Sequence, residues 1–219
     1  MAASSDAEPF EANPRRKNWV PLIFPALSVI WVVFATIGLS RLWRYEATPG
    51  ELTQSPTTWP AESRIERETK RPTLLVFAHP RCPCTRASIG ELARIMTICH
   101  GKVDARVLFF QPLGSASDWA QTDLWFAAQE IPGVSVIQDE SGFEATRFSA
   151  TVSGHSLLYD ATGRLLFSGG ITGSRGHAGD NVGKTAIESL LLNGQTNRQQ
   201  TFVFGCPLLG QVSTKRSEI

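Results

Sequence analysis

The stretch Thr73-Leu-Leu-Val-Phe-Ala-His-Pro-Arg-Cys-Pro-Cys-Thr85 runs six strand-forming residues up to two thiols separated by a proline, and a helical pattern follows at once. Residues 73–78 form a continuous apolar run, the signature of a strand covered on both faces. Residues 85–99 then place Ile89, Leu92, Ala93 and Met96 at helical spacing. Cys82 and Cys84 therefore stand where a strand hands over to a helix. Unpaired backbone N–H groups and the positive end of the helix dipole favour thiolate there, and thiolate is the form that attacks disulfides and binds metals. Arg81 and Arg86 add positive charge nearby, so the local sequence points to thiol chemistry.

Outward from this stretch the pattern keeps alternating. Residues 103–110 read as a buried strand, Ser117 or Asp118 as the cap of a helix running to Gln129, and residues 133–137 as a third strand. Residues 156–159 and 165–168 flank the turn Asp160-Ala-Thr-Gly163 as a hairpin, and residues 181–192 form a closing helix with Ile187, Leu190 and Leu191 inward. Alternating units followed by a hairpin and a helix imply an α/β three-layer sandwich around a mixed central sheet.

Upstream, residues 19–39 form 21 residues without a charge, bounded by Arg15-Arg16-Lys17 and by Arg41 and Arg44. That length suffices for one transmembrane helix, expected over residues 19–40. The three basic residues before it against two after it favour a cytoplasmic tail at residues 1–18. The remainder then lies outside the cytoplasm, on a bacterial inner membrane with a single pass and a periplasmic domain, where oxidising conditions suit a working dithiol. Residues 41–71 shift to Thr, Ser, Pro and charge and are expected to be a solvated linker. The domain then covers 72–195 and a C-terminal tail carrying Cys206 covers 196–219. With 21 basic and 20 acidic residues there is no charge excess to suggest nucleic acid, and four cysteines are too few to staple a chain of 219 residues.

The strand, the cysteine motif at a helix start, the crossover, the hairpin and the terminal helix together resemble the thioredoxin-like superfamily. His79-Pro-Arg-Cys-Pro-Cys-Thr85, Ser168-Gly-Gly-Ile-Thr-Gly-Ser-Arg-Gly-His177 and Phe204-Gly-Cys-Pro207 further resemble the membrane-anchored thioredoxin-domain proteins of the RedB type. The resemblance implies a redox-active centre acting on protein thiols or disulfides. Two departures stand out. The motif is C-x-C where the superfamily has C-x-x-C, and the place of its cis-proline, counted back from Asp160, falls on Gly154.

For the dithiol, Cys82 is expected to be the attacking thiol, being nearer the helix start and more exposed, with Cys84 resolving the mixed disulfide. A ring closed across Pro83 departs from relaxed disulfide geometry, which makes the bond easier to reduce and favours oxidase or isomerase behaviour. Cys206, in the apolar segment 202–209, is a possible third thiol, relaying or resolving if the segment folds back. His79 and His155 are candidate proton shuttles, and Arg175 and His177 candidates for lining a substrate groove, although the Gly-rich loop that carries them lacks the pattern of a phosphate loop and implies no nucleotide. Cys99 falls on the apolar side of its helix and reads as core. No cofactor is expected. The competing reading sets Cys82 and Cys84 with His155 around copper, as the Sco-type copper proteins do on the same fold with wider cysteine spacing, and would make the protein an assembly factor for a metalloenzyme. A redox-inactive interaction module is the third reading.

Overall fold

The computed structural model describes residues 20–50 and 53–209, so the expected tail over residues 1–18 and the last residues of the chain lie outside the described part. Two compact units divide between Trp43 and Arg44. The first is built on α1 (Val20–Ala47), which runs past the expected end at residue 40 through Arg41 and Arg44. Its segment Phe24–Ala47, 24 residues, is long and apolar enough to cross a membrane. At a rise of about 1.5 Å per residue it reaches about 36 Å, against a hydrocarbon thickness of about 30 Å.

The second unit holds a five-stranded mixed sheet. β1 (Thr73–Ala78) leads into α2 (Pro83–Ile98), β2 (Asp104–Gln111) into α3 (Asp123–Gln129), and β3 (Val134–Glu140) into α4 (Phe143–Arg147). The hairpin β4 (His155–Tyr159) and β5 (Leu165–Gly170) and then α5 (Val182–Asn193) complete the order. The strands lie as β3-β2-β1-β4-β5, with β1 parallel to β2 and antiparallel to β4. All six residues of β1 are buried, as its central place requires. This is the thioredoxin-like arrangement that the sequence implied.

Alternation along the strands separates two cores. Leu74, Val76 and Leu158 pack with Ile89, Leu92 and Ile95 of α2, Leu124 of α3 and Ile187 of α5. Leu75, Phe77, Leu157 and Tyr159 face the other way, onto Ala145 of α4, Phe148 and Ile65. Each large side chain fully buried in this way is worth about 1.5–3 kcal/mol of transfer free energy. Cys99 is fully buried in the first of these cores.

Two local expectations are corrected, and one helix was not foreseen. The helix expected from Ser117 or Asp118 begins only after Thr122, whose hydroxyl donates to Pro80 O at 3.0 Å; turns at Ala116–Trp119 and Asp118–Gln121 occupy the intervening residues. The segment expected as a solvated linker is instead docked over residues 53–65. Trp59 meets Phe148 and Tyr159 edge-on at 5.1 and 5.2 Å, Ile65 is buried, the Tyr159 hydroxyl donates to Pro56 O at 2.9 Å, and Leu165 N donates to Thr57 O. The second face of the sheet carries only the short α4 as a helix among the described residues, and these apolar residues help to close it, together with Leu208. Finally, α4 itself follows from Asp139, whose buried carboxylate accepts the N–H groups of Glu144 and Ala145 and so starts a turn that the polar run 138–147 did not announce.

Candidate thiol site

Cys82 is the N-cap of α2 and Pro83 its first helical residue, where a missing N–H costs nothing. The cap is extended, and its carbonyl accepts Thr85 N at 3.0 Å. Around it lies a compact hydrogen-bonded knot. The Thr85 hydroxyl donates to His79 O at 2.9 Å and meets the Ser153 hydroxyl at 2.8 Å, which in turn accepts His79 N at 2.9 Å. Ser153 thus ties the end of β1, the start of α2 and the approach to β4 together. Gly154 follows it with φ +90° and donates its N–H to Phe77 O at 2.7 Å. The described residues contain no cis peptide. Only glycine takes this φ without strain while keeping the N–H that the bond to β1 needs.

The C-terminal segment completes the site. Residues 199–202 bond along the edge of β5, through Ser168 N to Gln199 O at 2.9 Å and Gly170 N to Phe202 O at 3.2 Å. The chain then crosses to residues 151–153, where Ser153 N donates to Cys206 O and Leu208 N to Thr151 O, both at 2.8 Å, and Val152 forms an antiparallel bridge with Pro207. Buried Val203 and Leu208 pin the two ends. Between them the Cys206 Sγ lies 2.8 Å from the Cys82 Sγ, both thiols being free. The expectation that Cys82 would be exposed is therefore corrected: it is 1% exposed, with the Cys206 thiol against its sulfur.

The electrostatics separate the three thiols. Burial pushes the Cys82 thiol up, but hydrogen bonds from the Cys206 thiol and from the N–H groups of Cys206, Cys84 and Thr85 together outweigh it and hold Cys82 below the ordinary thiol range. Burial raises Cys84, and the adjacent charge and hydrogen bond of Cys82 raise it further, against weaker opposition from Gly176 N–H and Arg175. Cys206 is pushed up to about 12, by burial first and then by donating to Cys82. These interactions accordingly favour thiolate at Cys82 over Cys84 and Cys206.

The other candidates divide. Arg175 belongs to the site, its Nη1 donating to Gly205 O at 2.6 Å and so holding the residue before Cys206. His177, two residues on, is exposed and its N–H donates to Ser174 O at 3.3 Å. His79 acts as a strand-end cap. Its Nδ1 accepts Arg81 N at 3.1 Å, and its ring packs on Phe110 and edge-on to Trp119, with burial and then the charge of Arg81 lowering its pKa. His155 lies on the strand face it shares with Leu157 and Tyr159, opposite α2, and its Nε2 meets the Ser168 hydroxyl at 3.0 Å. The ligand set Cys82, Cys84 and His155 is therefore not assembled, and no group of three His, Cys, Asp or Glu among the described residues is arranged to hold a metal ion.

Two functional features escaped the sequence reading. Ser153 was within reach of it, one residue before the glycine counted to the cis-proline position. Glu91 was signalled by a charge on the apolar side of α2, two turns below Cys84. Its side chain is fully buried, where it accepts Gly179 N at 2.7 Å and Arg94 at 2.9 Å and faces the Lys184 ammonium at 3.6 Å. It thereby fastens the glycine-rich loop that carries Arg175 and Gly176 to α2.

Comparison with known proteins gives a likeness of fold. No family model matches the chain, and no curated protein matches it. Among solved structures, an uncharacterized conserved protein from Geobacillus kaustophilus superimposes with a TM-score of 0.54 at 17% identity, covering 76% of this chain and 94% of its own. The hypothetical protein SMc02350 from Sinorhizobium meliloti 1021 gives 0.52 at 19% identity, covering 74% and 93%. A secreted Mycobacterium tuberculosis disulfide oxidoreductase, homologous to E. coli DsbE, gives 0.40 at 14% identity, covering 55% and 80%.

Proposed function

We propose that this chain is a membrane-tethered, extracytoplasmic thiol–disulfide oxidoreductase acting on protein thiols or disulfides, with Cys82 as its nucleophile. The observation that carries the reading is the gathering of Cys82, Cys84 and Cys206 at the start of α2, with hydrogen bonds that favour thiolate at Cys82 over the other two. Thiolate is the form that attacks a disulfide. The apolar helix Phe24–Ala47 supports the tether, the basic residues Arg15, Arg16 and Lys17 before it support a cytoplasmic N-terminus, and the sequence likeness to RedB-type proteins supports both.

In the exchange, Cys82 attacks one sulfur of a protein disulfide, a mixed disulfide forms, and the displaced sulfur leaves as a thiolate that takes a proton from water. A second thiol of the site then displaces the bound sulfur. The test is exchange activity of the full chain in detergent on a protein disulfide such as that of insulin. Cys82→Ala is expected to abolish the rate enhancement while leaving the fold unchanged by circular dichroism; equal rates in wild type and Cys82→Ala would overturn the assignment. Labelling of intact cells with a membrane-impermeant thiol reagent checks the side of the membrane, and reduced cysteines that label only after lysis would reverse it.

A further inference from the structure

Resting on that reading, we infer that Cys206 is the resolving thiol of this site: it, in place of Cys84, closes the disulfide with Cys82.

Cys82 is 1% exposed, and the Cys206 thiol of the C-terminal segment stands directly against its sulfur. That segment is held on residues 151–153 by the two 2.8 Å backbone hydrogen bonds of Ser153 and Leu208 and by the bridge of Val152 to Pro207. Backbone pairing of this kind is how a sheet edge accepts any extended peptide, whatever its side chains. A protein cysteine that pairs with the same residues competes with the tail for them, and once it is held through the mixed disulfide alone it can release them to the returning tail. The tail also carries a cysteine at the reacting position, with its Sγ 2.8 Å from that of Cys82.

Cys84 is the poorer partner for geometric reasons. Residues at i and i+2 do not face each other on a helix, and Pro83 stiffens the short ring that a Cys82–Cys84 bond would close. Cys206 meets no such constraint, because it approaches on a separate strand. Its position is fixed from both sides by Arg175 on Gly205 O and by Ser153 on its own carbonyl. Gly205 is part of the fit: a Cβ built there would stand 1.9 Å from Ser153 O, so only glycine allows the strand to lie this close.

The chemistry balances as follows. With the tail displaced, the Cys82 thiolate attacks a protein disulfide R–S–S–R′; the Cys82–S–S–R bond forms, the R–S–S–R′ bond breaks, and R′S⁻ takes a proton from water. The tail then returns, the Cys206 sulfur bonds to the Cys82 sulfur, the bond to R breaks, and RS⁻ receives the proton that Cys206 gives up. Two electrons pass from the Cys82–Cys206 pair to the substrate, which leaves as two thiols. Run in reverse, the same pair oxidises two protein thiols.

The test uses the full chain in detergent, equilibrated with mixtures of reduced and oxidised glutathione, quenched by alkylation and mapped by mass spectrometry. Expected are a Cys82–Cys206 cross-link in the wild type, its persistence in Cys84→Ser, and its loss in Cys206→Ser with accumulation of a glutathione adduct on Cys82. A Cys82–Cys84 bond in the wild type with Cys206 freely alkylated overturns the inference and leaves the oxidoreductase reading standing. Absence of any disulfide or glutathione adduct on Cys82 in the wild type and both variants overturns both. The wild-type map needs no substitution, so it decides the matter even where a variant folds poorly.

Discussion

Replacing Gly205 by alanine tests whether docking of the tail controls access to Cys82. A Cβ at this position would lie 1.9 Å from Ser153 O, and real Cβ contacts stay above 3.0 Å, so the strands must part locally by at least about 1.1 Å. The bonds from Ser153 N to Cys206 O and from Leu208 N to Thr151 O, each 2.8 Å, flank the clash and are lost together. At about 1 kcal/mol net each, their loss weakens docking by about 2 kcal/mol. Since about 1.4 kcal/mol is a factor of ten, the undocked population rises about 30-fold. Alkylation of a residue this deeply covered proceeds through the undocked form, so its rate follows that population. The assay is the alkylation rate of Cys82, read by mass spectrometry at neutral pH in the reduced chain, with circular dichroism confirming that the upstream core is intact. An increase of about 30-fold is expected. A rate within about twofold of wild type would refute the claim that the 205–208 strand is what shields Cys82.

Three further outcomes follow from other parts of the structure. Trp59→Ala should cost about 2–3 kcal/mol by denaturant unfolding, since it removes two edge-on aromatic contacts and a half-buried side chain; a solvated linker would show a change within about 0.5 kcal/mol. Burial lowers His155 to about 4 from 6.5, so the unfolded chain binds a proton that the folded chain refuses: stability is fully present above pH 6.5 and falls by about 3 kcal/mol as the pH drops towards 4. Comparing unfolding free energies of wild type and His155→Gln across that window checks it, and equal pH slopes would count against the burial argument. Gly154→Pro should destabilise by about 3 kcal/mol or more in thermal or denaturant melts, because φ +90° is closed to proline and the N–H bonded to Phe77 O is lost. An unchanged melting temperature would mean that the loop before β4 rearranges freely.

Much of this protein follows from periodicity and from residues adjacent in sequence. The apolar run 73–78 could only be a central strand, the spacing of Ile89, Leu92 and Met96 only a helix against it, and together they placed two cysteines at a helix start with no reference to tertiary contacts. The turn Asp160-Ala-Thr-Gly163 announced its hairpin, and the uncharged run after Arg15-Arg16-Lys17 announced α1, for equally local reasons. What depended on distant parts of the chain was not legible. The segment at 53–65 reads as solvated because it has no period, yet it docks through Trp59 and buried Ile65 on a sheet face that carries only the short α4 as a helix among the described residues. Local charge and helix position favour thiolate at both Cys82 and Cys84; the hydrogen bonds that Cys206 brings from 124 residues away help to lower Cys82, while Cys84 is raised. The pairing of Val152 with Pro207, and the identity of the thiol that faces Cys82, are long-range choices of backbone hydrogen bonding that no spacing within the motif encodes, and for that reason only the tertiary structure decided them.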